Sequence, residues 1–316
     1  MSFPPVTDAW FLAGPTASGK STLGIELAQQ LNAEIISMDS MAVYRGMDIG
    51  TAKPSLRDRE AVCHHLIDVV DPDIDFSIAE YLRCAHACLE KIRQRGRRVL
   101  FVGGTPLYLK ALLTGFDDGP PADWQFRQQL EAEAEKVGSE KLHRRLAKFD
   151  PQAADRIHQN DSRRIIRALE FYEKTGKPIS SVQTHFGNET LPTTVRLLAP
   201  DWPRAILHQR INQRASAMYS SGLVEEVRLL LARFEKLGRT ASQAVGYQEA
   251  LKWLGKEISL HEALEQTQAR SRQLARRQLI WLRGIAGCHW LNIEETVDSG
   301  ELAERALEQF SNDPAC

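Results

Sequence analysis

The sequence predicts an α/β fold: a parallel sheet flanked by helices, interrupted by an all-helical insertion. Three observations carry this. Short apolar runs alternate with helical patterns over residues 9–102. A glycine-rich turn joins the first apolar run to the first helix. The strand signal then vanishes between 117 and about 192 and returns afterwards.

Residues 9–13 form an apolar strand candidate that runs into GPTASGKS, residues 14–21, and then into a helical pattern ending at Leu31. A second strand, 33–37, ends at Asp39-Ser40. Residues 77–96 read as an amphipathic helix, and a third strand, 99–102, ends at Gly103-Gly104-Thr105. Strand, helix, strand, helix, strand implies parallel pairing through crossover helices. Gly119-Pro120-Pro121 marks the start of the helical stretch and the loop-like 187–192 its end. A strand candidate at 195–199 follows, then long helices over 203–234 and 242–284, and a last strand at 289–293. The economical division is a discontinuous core, residues 1–116 and 195–316, around a helical insertion domain at 117–194.

The chain has 316 residues, enough for a large core, and a net charge of −1. It is therefore not a general polyanion binder, and any nucleic-acid surface has to be a local basic patch. Five cysteines, Cys63, Cys84, Cys88, Cys288 and Cys316, are too few and too irregular for a disulfide framework, and suggest reduced thiols in a cytoplasmic protein. The N-terminus has no basic stretch leading into an apolar run, so no signal peptide is expected. No run approaches about eighteen apolar residues, so no membrane span is expected.

GPTASGKS fits G-x-x-x-x-G-K-[ST] between a strand and a helix, the signature of a P-loop NTPase-like, nucleotide-binding scaffold. Gly14, Pro15, Thr16, Ala17, Ser18, Gly19, Lys20 and Ser21 are the predicted phosphate cradle. The glycines let several N–H groups point at one anion, and the helix N-terminus adds positive partial charge. Lys20 adds a full charge, and the Ser21 hydroxyl is the candidate ligand of a Mg²⁺ bridging the phosphates. The motif alone admits ATP, GTP or an alkyl diphosphate.

Further segments narrow the choice. In order they are MDSMAVYRGMDIGTAKP (38–54), HHLIDVVDP (64–72), VGGTPLYLKAL (102–112), NDSRRIIRALEFYEKTGKP (160–178), LHQRINQRASAMYSSGLVEEVRLL (207–230), VGYQEALKWL (245–254) and RQLARRQLIWLRG (272–284). This series resembles the bacterial tRNA dimethylallyltransferase (tRNA isopentenyltransferase) family over about residues 10–293. Seven ordered blocks are far more specific than a phosphate loop. The chain departs from the family's usual pattern at Met41-Ala42, Ala244 and Ile280. No zinc finger follows the last helix, which is similar to the bacterial form.

The resemblance implies transfer of the dimethylallyl group from dimethylallyl diphosphate to N6 of the adenosine at tRNA position 37, 3′ of the anticodon. The products are N6-(dimethylallyl)adenosine and diphosphate, and the substrates are tRNAs reading codons that begin with U. It implies Lys20 and Arg214 as a clamp on the leaving diphosphate, since fixed donors best meet charge that grows in the transition state and arginine's fork suits a diphosphate. It puts the Asp39 carboxylate at adenine N6 as orienter and general base, with Thr105 facing the same site. The tRNA path it implies includes Asp39, Ser40, Met41, Ala42, Thr105, Gly246 and Tyr247. The target base has to leave its stack, so the reactive centre is expected to be a channel entered by donor and nucleotide from opposite ends.

The tRNA surface is also sought in local charge. Arg270 to Arg283 holds five arginines and no acid. Ala275, Leu279 and Leu282 form the predicted buried stripe of that helix, leaving Gln273, Arg276, Arg277 and Ile280 on other faces. With the family match, Gln273, Arg276, Arg277 and Gln278 are read as tRNA contacts, with Arg163, Arg164 and Arg167 as a second cluster and Arg127 as a third candidate. The expected partners are the tRNA anticodon stem-loop and dimethylallyl diphosphate, with no membrane, acting on a monomer. Two rivals remain: a small-molecule kinase on the same loop, and a non-catalytic RNA-binding module. Against the kinase, the third strand ends in Gly103-Gly104-Thr105 rather than a carboxylate for Mg²⁺. Against the module, Lys20, Ser21 and Asp39 are intact. Cys84, His86 and Cys88 sit on a helix beside a core stripe (Ile78, Leu82, Ala85, Leu89, Ile92), and adjacent His64 and His65 point apart. No zinc site is expected from either.

Overall fold

The structure, a computed structural model, describes residues 2–181, 195–293 and 298–311. The expected exit loop at 187–192 lies outside the described residues. The chain divides into two compact units, Met1–Pro4 with Thr114–Glu189, and Pro5–Leu113 with Thr190–Cys316.

The strands are β1 (Ser2–Phe3), β2 (Trp10–Ala13), β3 (Ala33–Met38), β4 (His64–His65), β5 (Arg98–Gly103), β6 (Phe116–Asp117), β7 (Arg196–Asp201) and β8 (Cys288–Asn292). In the larger unit six of them form one sheet, parallel throughout, in the order β4-β3-β5-β2-β7-β8. Both faces are covered, so the strands read as continuous apolar runs. Trp10, Leu12, Ile35 and Leu100 pack with Leu23 and Leu27 of α1 (Lys20–Leu31). Phe11 stacks on Phe101, with ring centroids 5.0 Å apart.

The phosphate loop bends from β2 into α1 through Ala17 (φ 64°) and Gly19 (φ 83°), both left-handed. Crossovers follow through α2 (Leu56–Ala61) and α3 (Ile78–Gln94), and α4 (Pro106–Thr114) leads out of the sheet after β5. The capping box of Ser77 and Glu80 starts α3, and its buried residues Ala79, Tyr81, Leu82, Ala85, Leu89 and Ile92 carry the expected stripe. The first residues past β2, β3 and β5 therefore meet at one edge, the carboxyl end of a parallel sheet, where α/β folds place ligands.

The smaller unit holds α5 (Trp124–Val137), α6 (Ser139–Ala147), α7 (Pro151–Arg156) and α8 (Ser162–Thr175). Asp123, Asp150 and Asp161 cap three of these by accepting backbone N–H groups, and Leu130, Leu142, Leu146, Ile165 and Leu169 form the core. A strand unforeseen in the sequence is also present: β1 pairs antiparallel with β6.

The remaining helices are α9 (Arg204–Ser220), α10 (Leu223–Phe234), α11 (Arg239–Ser242), α12 (Tyr247–Leu254), α13 (Leu260–Arg283) and α14 (Ser299–Ser311). Two expected long helices are thus broken. Gly222, at φ 98°, ends the first after one element, and Gly246, at φ 92°, separates α11 from α12. The capping box of Ser259 and Glu262 restarts the chain as α13. Among the described residues no helix is long and apolar enough to cross a membrane.

Candidate active site

A cavity of about 330 Å³ lies at the carboxyl edge of the sheet, lined among others by Lys20, Asp39, Ser40, Met41, Thr105, Arg214, Arg277 and Gln278. Segments distant in sequence thus bring the expected site residues together. A second cavity of about 60 Å³, lined by Lys20, Ser21, Asp39, Ala42, Lys53 and Arg214 together with Ile35, Ile67 and Val102, adjoins the same charged groups. A depression of about 470 Å³ borders Ala17, Ser18, Gly19, Lys20, Ser21, Arg210 and Arg214. Lys20 and Arg214 line all three spaces, so the cation pair stands where they meet.

The Lys20 ammonium donates to the Pro15 carbonyl at 3.1 Å. Its burial, aided by the Arg214 charge and opposed by Asp39, pushes its pKa down to about 8. Burial likewise lowers Arg214, opposed by Asp39. Arg214 Nη2 donates to the Thr51 carbonyl at 3.3 Å, while its buried Nε and the buried Ser18 Oγ have no hydrogen-bond partner among the described residues. Two half-buried cations, a guanidinium N–H and a hydroxyl without partners among the described residues, around a phosphate loop, suit an anion with several oxygens.

Asp39 follows β3, and its Oδ1 accepts the backbone N–H groups of Met41 at 2.8 Å and Ala42 at 3.4 Å. This Asx-type turn fixes the carboxyl group and leaves Oδ2 without a protein hydrogen bond among the described residues. Thr105 Oγ1 accepts the Ser40 N–H at 3.0 Å, and the Thr105 N–H donates to the Met38 carbonyl at 3.1 Å. Thr105 therefore ties the Asp39 loop to the β5 turn. Gly103 has to be glycine there, since a Cβ would stand 2.3 Å from the Met38 carbonyl oxygen.

Several supporting residues escaped the sequence reading. Trp202, just after β7, donates Nε1–H to the Ser18 carbonyl at 2.9 Å. Arg210 donates to the Ala17 carbonyl at 3.0 Å while its guanidinium lies 4.3 Å over the Trp202 ring. Arg210 is four residues before Arg214, hence on the same helix face, a spacing that marks it as Arg214's neighbour. Glu226 accepts the N–H groups of Asp48 at 3.0 Å and Ile49 at 2.8 Å, holding the loop whose Thr51 meets Arg214. Lys53, nearly inaccessible, pairs with Asp48 of the same loop at 2.7 Å and with Asp68, after β4, at 2.6 Å.

Not every expected tRNA contact reaches the cavity. Tyr247 corrects the sequence reading: it has no exposed surface, lies in the core with Val43, Tyr44, Leu223 and Val227, and donates its hydroxyl to Glu226. Gly246 turns the chain into α12. Gly50 packs against Tyr247 so closely that a Cβ would come within 2.3 Å of its ring. On α13, Ala275 and Leu282 are buried and Leu279 partly so, with Gln273, Arg276, Arg277 and Ile280 exposed as expected. Three of the run's arginines are engaged: Arg270 with Glu249, Arg272 with Asn212 and Arg283 with Asp201. Arg276 and Arg277 form no hydrogen bond or ion pair with described residues.

In the smaller unit, Arg127 and Arg167 both pair with the fully buried Glu170. Burial alone would raise that carboxyl, but Arg127, the Asp123 N–H and Arg167 together hold it below the usual range. These two arginines are thus internal ties, while Arg163 and Arg164 are exposed. Elsewhere, Glu34, Cys63 and His65 cluster closely enough to share a metal. Arg95 instead takes both Glu34 oxygens, at 3.0 and 2.6 Å, which opposes a cation there.

A family model described as IPP transferase matches residues 42–285. The chain is 44% identical over 315 residues to a tRNA dimethylallyltransferase of Rhodopirellula baltica, covering 97% of this chain and 94% of that one. It is 44% identical over 302 residues to the tRNA dimethylallyltransferase of Nitrosococcus oceani, covering 95% and 96%. The crystal structure of the full-length tRNA isopentenylpyrophosphate transferase of Bacillus halodurans superposes with a TM-score of 0.70 at 37% identity, covering 97% of this chain and 96% of that one. A eukaryotic dimethylallyltransferase acting on tRNA superposes with a TM-score of 0.78 at 28% identity, covering 98% of this chain and 79% of that one.

Proposed function

The chain belongs to the IPP transferase family, and we propose that it transfers a dimethylallyl group from dimethylallyl diphosphate to N6 of the adenosine at position 37 of tRNA. The substrates are the cytoplasmic tRNAs reading codons that begin with U, and the protein acts as a monomer. The observation that carries the reading is the cavity in which Lys20 and Arg214 are gathered with Asp39. A cationic cradle for a leaving diphosphate stands beside a fixed carboxylate with one oxygen to spare.

N6 is a poor nucleophile, because its lone pair is delocalised into the ring. The residues divide the work accordingly. The phosphate loop, Lys20 and Arg214 stabilise charge on the departing diphosphate as the C1–O bond breaks. Asp39 Oδ2 accepts a hydrogen bond from N6 and takes its proton as the new C–N bond forms. Asp39 keeps its direction because Oδ1 is held by Met41 and Ala42. The junction of cavities at Lys20 and Arg214 lets donor and flipped base approach from different sides. The residues also fit Mg²⁺: Ser21, exposed on the first turn of α1, presents a hydroxyl oxygen beside the cradle. That suits a hard cation which takes most of its ligands from phosphates and water. When bound, the ion neutralises leaving-group charge.

The site preference is tested by offering anticodon stem-loops that differ only at the third anticodon position and at the nucleotides flanking the anticodon, then digesting and weighing the nucleosides. Prenylation confined to adenosine 37 next to an adenosine at the third anticodon position is expected. Equal modification elsewhere would contradict the assignment.

Two further outcomes follow from the cations. Lys20 holds the diphosphate only as the ammonium. Its lowered pKa means the free protein loses that charge as pH rises through about 8. The kcat/KM for dimethylallyl diphosphate, which reports the free enzyme, should fall across that range, and Lys20→Arg should move the fall to higher pH. A flat profile would remove Lys20 from donor binding. Reversing Arg276 and Arg277 to glutamate should weaken tRNA binding and flatten its salt dependence, because phosphate contacts release counterions. Affinity for the diphosphate alone should change far less than affinity for tRNA, since only Arg277 of the two borders the cavity, and an unaltered salt slope would move the RNA surface elsewhere.

A further inference from the structure

Gln278 sits on α13 directly after the exposed Arg277, but its own side chain is buried, with 6% exposure. Its Oε1 accepts the Thr16 backbone N–H at 2.9 Å, and its Nε2 donates to the Gly104 carbonyl at 2.6 Å. Thr16 belongs to the phosphate loop after β2, and Gly104 to the turn after β5 that carries Thr105. Thr105 in turn accepts the Ser40 N–H beside Asp39. The packing is tight: a Cβ on Gly104 would stand 2.5 Å from Gln278 Nε2 and 2.7 Å from the Gly14 carbonyl oxygen. Both ends of one amide are thus used between the leaving-group loop and the acceptor-side turn, on the helix that presents Arg276 and Arg277.

The geometry points to Gln278 as a positioning residue rather than an RNA contact: its amide locks the phosphate loop and the β5 turn to α13, and so fixes the spacing between the diphosphate cradle and Asp39. This rests on the reading above that prenyl transfer takes place in this cavity. The chemistry of the lock is specific. Each partner is a buried or half-buried backbone group that is costly to leave unpaired. Asparagine is one methylene too short to span them. Leucine fills the space but offers neither bond. An ionised glutamate accepts from Thr16 and sets a lone pair against the Gly104 carbonyl, whereas a protonated glutamic acid restores both bonds in the same shape.

The test uses the full chain with Gln278→Leu and Gln278→Glu. Thermal midpoint, Kd for an anticodon stem-loop, Kd for inorganic diphosphate and single-turnover transfer rate are measured for each. RNA affinity should match wild type in both, while diphosphate affinity weakens and the transfer rate falls by roughly 10–10²-fold, the scale of a misplaced reacting group. The Gln278→Glu rate, taken relative to wild type at each pH, should recover as pH falls, and the Gln278→Leu rate should not. Recovery confined to the glutamate variant is something a merely space-filling side chain does not give, and the Gln278→Glu pH series still decides if the leucine variant fails to fold. Weakened RNA binding with an unchanged rate at saturation would overturn the inference and restore Gln278 as an RNA contact. Unchanged diphosphate affinity and rate would also overturn it. A wild-type protein that transfers nothing would instead sink the functional reading, and diphosphate affinity in the variants would still judge the lock.

Discussion

Asp39→Asn is expected to bind tRNA and dimethylallyl diphosphate much as the wild type does, while its single-turnover rate falls by roughly 10²–10⁴-fold, the range for removing a general base. The geometry makes this substitution clean. Asparagine Oδ1 can still accept the Met41 and Ala42 N–H groups, so the turn survives. What changes is the second atom, an oxygen able to take a proton replaced by an amide nitrogen that cannot. A change that removes a transition-state interaction lowers turnover without raising the Michaelis constant. If Asp39 served only the turn, the variant would be near wild type in rate. Measuring single-turnover rates beside thermal midpoints separates the outcomes, and near-normal chemistry from a folded Asp39→Asn protein would remove the base from the mechanism.

The second large effect is expected at the clamp. Lys20→Ala and Arg214→Ala should each lower turnover by about 10²–10³-fold, the scale of losing one preorganised donor, with tRNA affinity nearly intact. Arg214 carries the stronger structural argument, because its buried Nε has no partner among the described residues. Inhibition by inorganic diphosphate should weaken in parallel. Arg214→Lys keeps a charge but loses the fork, so it should recover only part of the rate. Wild-type turnover at limiting dimethylallyl diphosphate in either alanine variant would exclude that residue from the clamp.

The sheet was legible because its signals are local. Each of the runs around Phe11, Ile36, Phe101 and Leu198 is apolar on both faces, and Gly19-Lys20 announces the first helix. Elements that escaped were short or shaped by distant partners. His64–His65 is a strand only because β3 lies beside it, and Ser2–Phe3 only because of Phe116–Asp117. The helix at 203–234 was read through Gly222, although a left-handed glycine ends it. The box of Ser259 and Glu262 was a usable start signal for α13 that the periodicity obscured.

The site divides in the same way. Lys20, Asp39, Thr105 and Arg214 were named in advance and line one cavity. The charge of Arg127 and Arg167 suggested RNA, but a buried Glu170 on α8 absorbs it. Tyr247 sits in a block that marks the family, yet its role is to fill a core and hold Glu226. Gln278 looked like a neighbour of the exposed arginines, and only the fold shows that its amide reaches Thr16 and Gly104. Trp202 and Arg210 act on backbone carbonyls of the phosphate loop, and a backbone partner leaves no trace in residue type.

Incubating the protein with unmodified tRNA and dimethylallyl diphosphate labelled in the prenyl group, in parallel with γ-labelled ATP, tests the central claim most directly. The reading predicts prenyl label in the RNA, dependent on both Asp39 and Arg214, and no transfer of the ATP label to an acceptor. Label passed from ATP to a small molecule, with none entering RNA from the prenyl donor, would contradict it and make the phosphate loop that of a kinase.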